Sequence, residues 1–286
     1  MSRAARWLAL LALVAASTAA QADGGRLLAT GGATQLEGAA GGGLVPWAVL
    51  AGYGTREQQG GTAFYTRVDT GDYALDAAGV AWTFRNRLEL SLARQRLDLG
   101  ELQRRLSLPW ATLQQDVYGA KLRLAGDVVY GGWPQLSLGV QHKRLRDAAL
   151  PLAVGARDDS GTDVYLSASR LFLDAVGGHQ VLVNATLRST AANQMGLLGH
   201  GGDRGGRSLA WEASAAWLPH PSWALGLEYR QKPDHLGFAR EDDWADAFVA
   251  WFPNKRAAVV LAWADLGSIA GLEGQRGGYL SVQLSH

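Results

Sequence analysis

The chain has 286 residues, with 37 glycines, 11 tryptophans, no cysteine, 48% hydrophobic residues and 19% charged residues. This composition excludes a disordered chain, and the glycines lack the three-residue period of collagen. The missing cysteine excludes a disulfide scaffold, a thiolate zinc site, an iron–sulfur cluster and a cysteine nucleophile. The formal net charge of +1 gives no argument for a nucleic-acid partner.

Residues 1–22 have the pattern of a secretory signal peptide. Arg3 and Arg6 precede an apolar run from Trp7 to Ala16, and Ala20-Gln21-Ala22 matches a small-x-small cleavage site. The apolar run is too short to span a bilayer as a helix. We therefore expect cleavage after Ala22 and an exported, single-domain mature chain of residues 23–286.

The mature chain alternates apolar and polar residues with a period of two. Between Leu209 and Trp217, for example, one face carries leucine, tryptophan and alanine, and the other carries alanine, serine and glutamate. Such runs are about 9 to 12 residues long, the length that a tilted strand needs to cross a bilayer. The pattern predicts an all-β transmembrane antiparallel barrel rather than a soluble sandwich.

The connections between these runs alternate between short and long, which is typical of outer-membrane barrels with short periplasmic turns and long extracellular loops. This asymmetry places the protein in the bacterial outer membrane. The tight links are Arg85-Asn86, Pro219 to Ser222 and Pro253 to Lys255, and the longer ones lie near residues 99–111, 146–161, 191–207, 233–242 and 267–276.

The strand count depends on the glycine-rich residues 23–60. Thirteen strands follow from Leu44–Gly54 to a final strand at 277–286, and an even number requires one more, for which Arg26–Thr34 is the candidate. We therefore predict about 14 strands. If the segment before residue 60, with its glycine-rich residues 31–43, folds inward as a plug, the count is 12.

Aromatic residues gather near the predicted strand ends, as expected of two interfacial girdles. One group adjoins short turns and the other lies toward the long loops. The candidates are Trp217, Trp223 and Trp251 for the first group, and Trp211 and Tyr229 for the second.

Several longer stretches resemble a family of proteobacterial outer-membrane proteins of unknown function. The resemblance covers the whole mature chain and implies a barrel, with no known activity. The stretches that carry it are residues 37–44, 46–48, 52–56, 65–73, 232–234 and 237–244.

The last strand resembles the signal that the barrel assembly machinery recognises. Gln275, Gly277, Leu280 and Val282 follow its polar-x-Gly-x-x-apolar-x-apolar pattern, whereas His286 stands where the usual ending is phenylalanine. We expect that machinery, together with outer-membrane lipid and lipopolysaccharide, as partners. The sequence leaves the oligomeric state open.

Charged residues predicted to point into the lumen could line a constriction. Opposed charges across a pore favour small polar or ionic solutes, whereas in a narrow barrel they would only pair across strands. The inward alternation selects Arg67, Asp69, Glu89, Lys121, Arg123, Lys143, Asp163, Arg188, Glu212, Glu228, Arg230 and Lys232.

No catalytic or metal-binding motif stands out. The acidic loops around residues 157–163 and 240–243 lack the spacing of a defined calcium site. Neither Gly-x-Ser-x-Gly nor His-Glu-x-x-His occurs, and His142 on the outward face has no serine fixed beside it. We expect no enzyme, cofactor or metal.

The sequence favours a passive porin-like channel for small polar or ionic solutes. A closed barrel with a structural or surface-interaction role is the first alternative, and an outer-membrane lipid-modifying enzyme is the second. A closed barrel requires residues 31–43 or the loop at 191–207 to fold into the lumen.

Overall fold

The computed structural model describes residues 26–286. The predicted signal peptide at residues 1–22 lies outside this range. In the described part of the chain, no helix has both the length and the apolar character needed to span a membrane.

The architecture is a closed antiparallel barrel of twelve strands. A two-residue ladder formed by β1 (Ala33–Thr34) and β2 (Ala40–Gly41) precedes it. The barrel strands are β3 (Gln59–Thr70), β4 (Ala74–Phe84), β5 (Leu88–Asp98), β6 (Thr112–Ala125), β7 (Gln135–Leu145), β8 (Ser160–Val176), β9 (His179–Thr190), β10 (Ser208–His220), β11 (Trp223–Arg230), β12 (Trp244–Asn254), β13 (Ala257–Asp265) and β14 (Arg276–Ser285).

Each barrel strand pairs with its neighbours in sequence, and β14 closes the barrel against β3. The seam runs from Gly277 opposite Thr70 to Ser285 opposite Thr62. Beyond it, the backbone of His286 exchanges two hydrogen bonds with Gly61, of 2.8 and 3.0 Å. The barrel formed by residues 59–285 has no open edge strand, which satisfies the backbone groups of a sheet in lipid.

The outer face of the barrel is apolar over most of its height. Its exposed side chains include Leu90, Leu138, Leu227 and Leu261, and Leu280 of the last strand. Such a continuous exposed apolar surface is what a lipid-facing belt requires.

The two ends of the barrel differ in their connections. The short-turn end carries residues 85–87, 177–178, 221–222 and 255–256, with one nine-residue connection at 126–134. The long-loop end carries residues 99–111, 146–159, 191–207, 231–243 and 266–275, with one tight connection at 71–73. Two short helices, α1 (Gly100–Leu106) and α2 (Ala149–Ala153), and a 3₁₀ turn at Gln194–Gly196 lie in the long loops.

The barrel has twelve strands rather than the fourteen that we favoured from the sequence. Residues 26–34 and 44–54 are not barrel strands, because residues 31–54 turn inward and fill the lumen. We call residues 31–54 the plug. Its glycines allow this close packing, since a Cβ at Gly42 would collide with the carboxylate of Glu228 on the barrel wall.

Candidate functional site: the plugged lumen

The plug is buried along its entire length. Every residue from 31 to 54 is shielded from solvent, and residues 55–58 connect the plug to β3 at the short-turn end. A segment with little regular secondary structure has many backbone groups that need partners once water is removed. Turns within the plug supply some of these partners, such as the bond from the amide of Leu36 to the carbonyl of Gly43 at 3.1 Å, and side chains of the barrel wall supply others.

Glu37 is the only charged residue of the plug, and it lies among three cations of the wall. Its carboxylate pairs with Lys143 of β7, lies 2.9 Å from Arg230 Nη1 of β11, and lies 3.7 Å from Arg188 Nη2 of β9. All four side chains are at most 4% exposed.

Two wall carboxylates balance this cluster. Asp163 lies 2.7 Å from Lys143 and 3.4 Å from Arg188, and Glu212 lies 2.5 Å from Arg188 and 3.6 Å from Arg230. Three carboxylates therefore face three cations inside the barrel, toward the long-loop end. We call these six residues the Glu37 network. Because a buried charge without its partner is costly, the network fixes the plug in place.

A second buried pair binds the plug backbone from β5 and β6. Glu89 accepts hydrogen bonds from the amides of Ala40 and Ala51, at 3.2 and 2.8 Å. Lys121 donates to the carbonyl groups of Ala40 and Trp47, at 2.8 and 3.1 Å, and pairs with Glu89 at 3.3 Å. The two side chains thereby satisfy both amide and carbonyl groups of the plug.

Glu228 holds the glycine-rich turn of the plug. Its carboxylate accepts hydrogen bonds from the amides of Gly43 and Leu44, at 2.6 and 2.7 Å, and from the hydroxyl of Ser214 at 2.8 Å. The indole nitrogen of Trp47 donates to the same hydroxyl at 2.9 Å.

Neutral side chains of β7 and β8 complete the polar contacts. The amide of Ala48 donates to Ser169 at 2.8 Å, and its carbonyl accepts hydrogen bonds from Gln135 and Ser137, both at 2.6 Å. The plug is thus hydrogen-bonded to strands β5 to β11, which we call the polar wall.

The opposite side of the lumen, formed by β12, β13, β14, β3 and β4, is mainly apolar, and we call it the apolar wall. Its Gln283, on β14, accepts a hydrogen bond from the hydroxyl of Thr34 of the plug at 2.7 Å. Phe248, Phe252 and Val260 belong to one buried cluster with Trp47 of the plug. An apolar cavity of about 30 Å³ remains between the plug and these side chains. Asp246 interrupts the apolar wall, and its carboxylate oxygens have no hydrogen-bond partner within residues 26–286.

The loop at residues 191–207 closes the lumen at the long-loop end, and its residues 192–202 are buried. The amide of Gln194 donates to Glu241 at 2.9 Å, and Lys232 donates to the Gln194 side chain at 2.8 Å. Gln115 of β6 donates to the carbonyl of Met195 at 3.1 Å. The lumen is therefore filled by two separate segments of the chain.

His200 in this loop is buried. Burial lowers its pKa to about 4, and the nearby charge of Lys143 acts in the same direction. Neither ring nitrogen has a hydrogen-bond partner among the described residues. The ring packs against Gly161 of β8, where a Cβ would collide with it.

Most of the residues predicted for the lumen lie on the inner face of the barrel, but they contact the plug or each other rather than an open path. Arg123 is an exception, because it pairs with Asp127 at 3.0 Å near the short-turn end. Lys232 lies in the loop above the lumen. The buried residues are Glu89, Lys121, Arg123, Lys143, Asp163, Arg188, Glu212, Glu228, Arg230 and Lys232.

The inward placement predicted for Arg67 and Asp69 is wrong. Both side chains are exposed on the outer face, where Arg67 lies 2.6 Å from Asp69 and 3.2 Å from Asp76. The inner face of β3 carries Phe64 and Val68 instead, because the plug makes this part of the lumen apolar. Arg67 and Asp69 lie close to the long-loop end of β3, so their outward charges are away from the centre of the apolar belt.

The five predicted girdle residues lie on the outer face near the strand ends. Trp223 and Trp251 stack at the short-turn end, with ring centroids 5.9 Å apart. Trp211 and Tyr229 stack toward the long-loop end, at 4.4 Å. Trp217 lies at the short-turn end beside His179, with ring centroids 5.6 Å apart.

The described residues contain no cluster of three or more potential metal ligands. His142 is exposed and lies 2.9 Å from the hydroxyl of Thr162, not from a serine. A serine–histidine contact that the sequence did not indicate occurs at the long-loop end, where Ser208 Oγ lies 2.9 Å from His235 Nε2.

Sequence reasoning missed Glu37 as a central residue. The available signal was its isolation, since it is the only charged residue between positions 27 and 54. A single carboxylate in such a stretch needs a cationic partner if the stretch is buried. The strand alternation used to select lumen residues does not apply to the irregular plug.

Comparison with known proteins places the chain in a family. The family model matches residues 30–283. The chain belongs to the family described as protein of unknown function (DUF3034). No curated protein matches the sequence of this DUF3034 chain.

Solved structures of similar fold include three outer-membrane proteins. Omp33 of Acinetobacter baumannii has 9% identity and a TM-score of 0.46, over 80% of this chain and 98% of Omp33. The NanC porin has 8% identity and a TM-score of 0.46, over 79% of this chain and 98% of NanC. The COG4313 outer membrane channel from Pseudomonas putida F1 has 11% identity and a TM-score of 0.42, over 80% of this chain and 94% of the channel.

Proposed function

We propose that this protein is an outer-membrane barrel whose lumen is held closed by its own N-terminal plug, with a structural or surface-interaction role. The unbroken burial of residues 31–54 carries this proposal. A permanently open porin would leave its lumen charges in contact with water. Here the corresponding charges bind the plug.

Three features support the outer-membrane location. The outer face is apolar, aromatic pairs lie at both of its borders, and short turns at one end contrast with long loops at the other. In this location the apolar belt contacts lipid. The exposed charges of Arg67, Asp69 and Asp76, near the long-loop end, face the lipopolysaccharide layer.

A channel for small polar or ionic solutes is the second candidate. The charges of the polar wall favour it, because they would line a path if the plug left the lumen. Within residues 26–286, the chain connects the plug to the barrel through residues 55–58, so the plug can leave without any barrel strand being displaced. Conduction is then a property of an opened state, and the closed state does not conduct.

Planar-bilayer conductance of the refolded mature protein tests the proposal. We expect a silent barrel from the wild type and steady conductance steps from a variant that lacks residues 31–54. Resistance to unfolding in detergent and β-type circular dichroism serve as checks that both proteins are folded. Steady steps from the folded wild type, of the same size as those of the deletion variant, would refute the closed barrel.

We also propose that the protein is not an enzyme. Ser208 and His235 are within hydrogen-bond distance, but Nδ1 of His235 has no side-chain partner among the described residues to orient the ring. The wild type should therefore not hydrolyse phospholipid in mixed micelles. Hydrolysis that disappears in a Ser208→Ala variant would overturn this proposal.

A further inference from the structure

A basic cavity lies at the short-turn end of the barrel, outside the plugged lumen. Its volume is about 500 Å³, and it opens between the turn after β4, the end of β6 and the link that follows the plug. Four arginines line it, together with a short apolar stretch. These arginines are Arg56, Arg85, Arg87 and Arg123.

Only one of the four arginines is neutralised within the described chain. Arg123 pairs with Asp127 at 3.0 Å. Burial acts to raise the pKa of Asp127, but hydrogen bonds from the amides of Tyr130 and Val129 and from Arg123 outweigh it and lower the pKa. Within residues 26–286, Arg56, Arg85 and Arg87 form no ion pair and their side chains donate no hydrogen bond.

The backbone holds these arginines close together. Arg85 and Asn86 have φ angles of 51° and 48°, which form the tight turn between β4 and β5. The amide of Arg85 donates to Gln58 beside Arg56, and the amide of Arg123 donates to Arg87, both at 2.9 Å. Three like charges concentrated in this way repel one another unless an anion joins them.

The cavity borders the lipid-facing surface. One of its walls is formed by Leu124 and Ala125 at the end of β6. Leu124 is exposed on the outer side of the barrel, as are the nearby Leu122 and Leu88. A ligand with an anionic head and an apolar tail would therefore find both kinds of surface next to each other.

We propose that this cavity binds the phosphate headgroup of an anionic phospholipid, with its acyl chains lying against the outer face of β5 and β6. Guanidinium groups bind phosphate oxygens through paired, charge-assisted hydrogen bonds. The proposal rests on the membrane location given above, which puts the short-turn end at the periplasmic leaflet. It does not depend on whether the lumen is closed.

Native mass spectrometry of the refolded mature protein, released from detergent that contains phosphatidylglycerol or phosphatidylcholine, tests this site. The informative variant is Arg85→Gln/Arg87→Gln. Its matched control is Lys255→Gln/Arg256→Gln, which removes the same charge from another short turn at the same end of the barrel.

We expect the wild type and the control to retain one phosphatidylglycerol in preference to phosphatidylcholine. The Arg85→Gln/Arg87→Gln variant should retain roughly tenfold less, because charge-assisted hydrogen bonds are lost. Equal losses in both variants would overturn the proposal, since general surface charge would then explain the binding.

Two further outcomes separate the alternatives. If millimolar inorganic phosphate binds in the absence of lipid and displaces phosphatidylglycerol completely, the site takes a free phosphate and the lipid proposal is wrong. Conductance is a separate measurement. A conducting wild type with intact lipid preference would refute only the closed barrel, and a silent wild type without lipid preference would refute only the lipid site.

Discussion

The two sides of the lumen hold the same plug by different means. The polar wall supplies the cations that surround Glu37 and most of the hydrogen bonds between the barrel and the plug. The apolar wall supplies Phe248, Phe252 and Val260, and leaves a small cavity. Hydrogen bonds and ion pairs are directional, whereas apolar contact is not. The polar wall therefore supplies most of the directional contacts that position the plug, and the apolar wall adds mainly burial, together with the hydrogen bond between Thr34 and Gln283.

Among substitutions that test the two walls, Glu37→Gln should cause the largest loss of stability. The substitution keeps the size of the side chain but leaves Lys143, Arg188 and Arg230 facing only two carboxylates. We expect a loss of about 3 to 5 kcal/mol in the free energy of unfolding, as for other broken buried ion pairs. Denaturant unfolding in detergent measures this loss, and brief conductance events should appear in the variant although the wild type is silent.

Glu57→Gln is the matched control for this substitution. Glu57 is exposed in the link between the plug and β3, so the same chemical change there removes no buried partner. Its unfolding midpoint should stay at the wild-type value. Equal destabilisation by both substitutions would mean that net charge, rather than the Glu37 network, determines stability.

A smaller loss is expected on the apolar wall from Phe248→Ala. Phe248 is buried against the plug and beside the existing cavity, and it covers Gly226. Truncating a buried phenylalanine costs about 3 kcal/mol at the lower end of the usual range. Thermal unfolding should show the loss without an increase in conductance events. Frequent opening would show that the apolar wall also fixes the plug position.

Trp47→Phe tests one hydrogen bond where the two walls meet. Phenylalanine keeps most of the buried ring but removes the bond from the indole nitrogen to Ser214. A single neutral hydrogen bond contributes about 1 kcal/mol. We expect a loss of that size in denaturant unfolding, and a loss as large as that of Phe248→Ala would mean that ring packing dominates.

The smallest effect should come from Arg67→Gln on the outer face. Arg67 pairs with Asp69 and Asp76, but all three side chains are substantially exposed. Exposed ion pairs contribute about 0.5 kcal/mol or less. An unfolding midpoint near that of the wild type is expected. A loss comparable to that of Glu37→Gln would place Arg67 in a structural role that its exposure does not suggest.

The sequence predicted the barrel because alternation follows directly from strand geometry. In β10, Trp211 and Trp217 point outward while Glu212 and Ser214 point inward, as their alternation requires. The same rule selected Lys143, Arg188 and Glu228 for the inner face. It could not show that these side chains bind the plug, since their partners lie about 100 residues or more away in the chain.

The alternation rule was wrong for β3 because one of its assumptions does not hold there. It assumes that polar residues face a watery lumen, but the plug makes one side of this lumen apolar. Phe64 and Val68 therefore point inward, and Arg67 and Asp69 point outward. The glycine-rich residues 31–43 carry too little alternation to distinguish strands from a plug, so the favoured count of 14 strands was wrong and the alternative of 12 strands with an inward plug was confirmed.

Because the link at residues 55–58 is short, a plug that leaves the lumen rebinds as a tethered ligand does. A plug that leaves the lumen stays within a few residues of the barrel mouth, where its effective concentration is in the millimolar range. Rebinding is then a first-order process that does not depend on protein concentration. Proteolytic cleavage within the link, which is exposed at residues 56–58, would remove this advantage and convert a reversible opening into a lasting one.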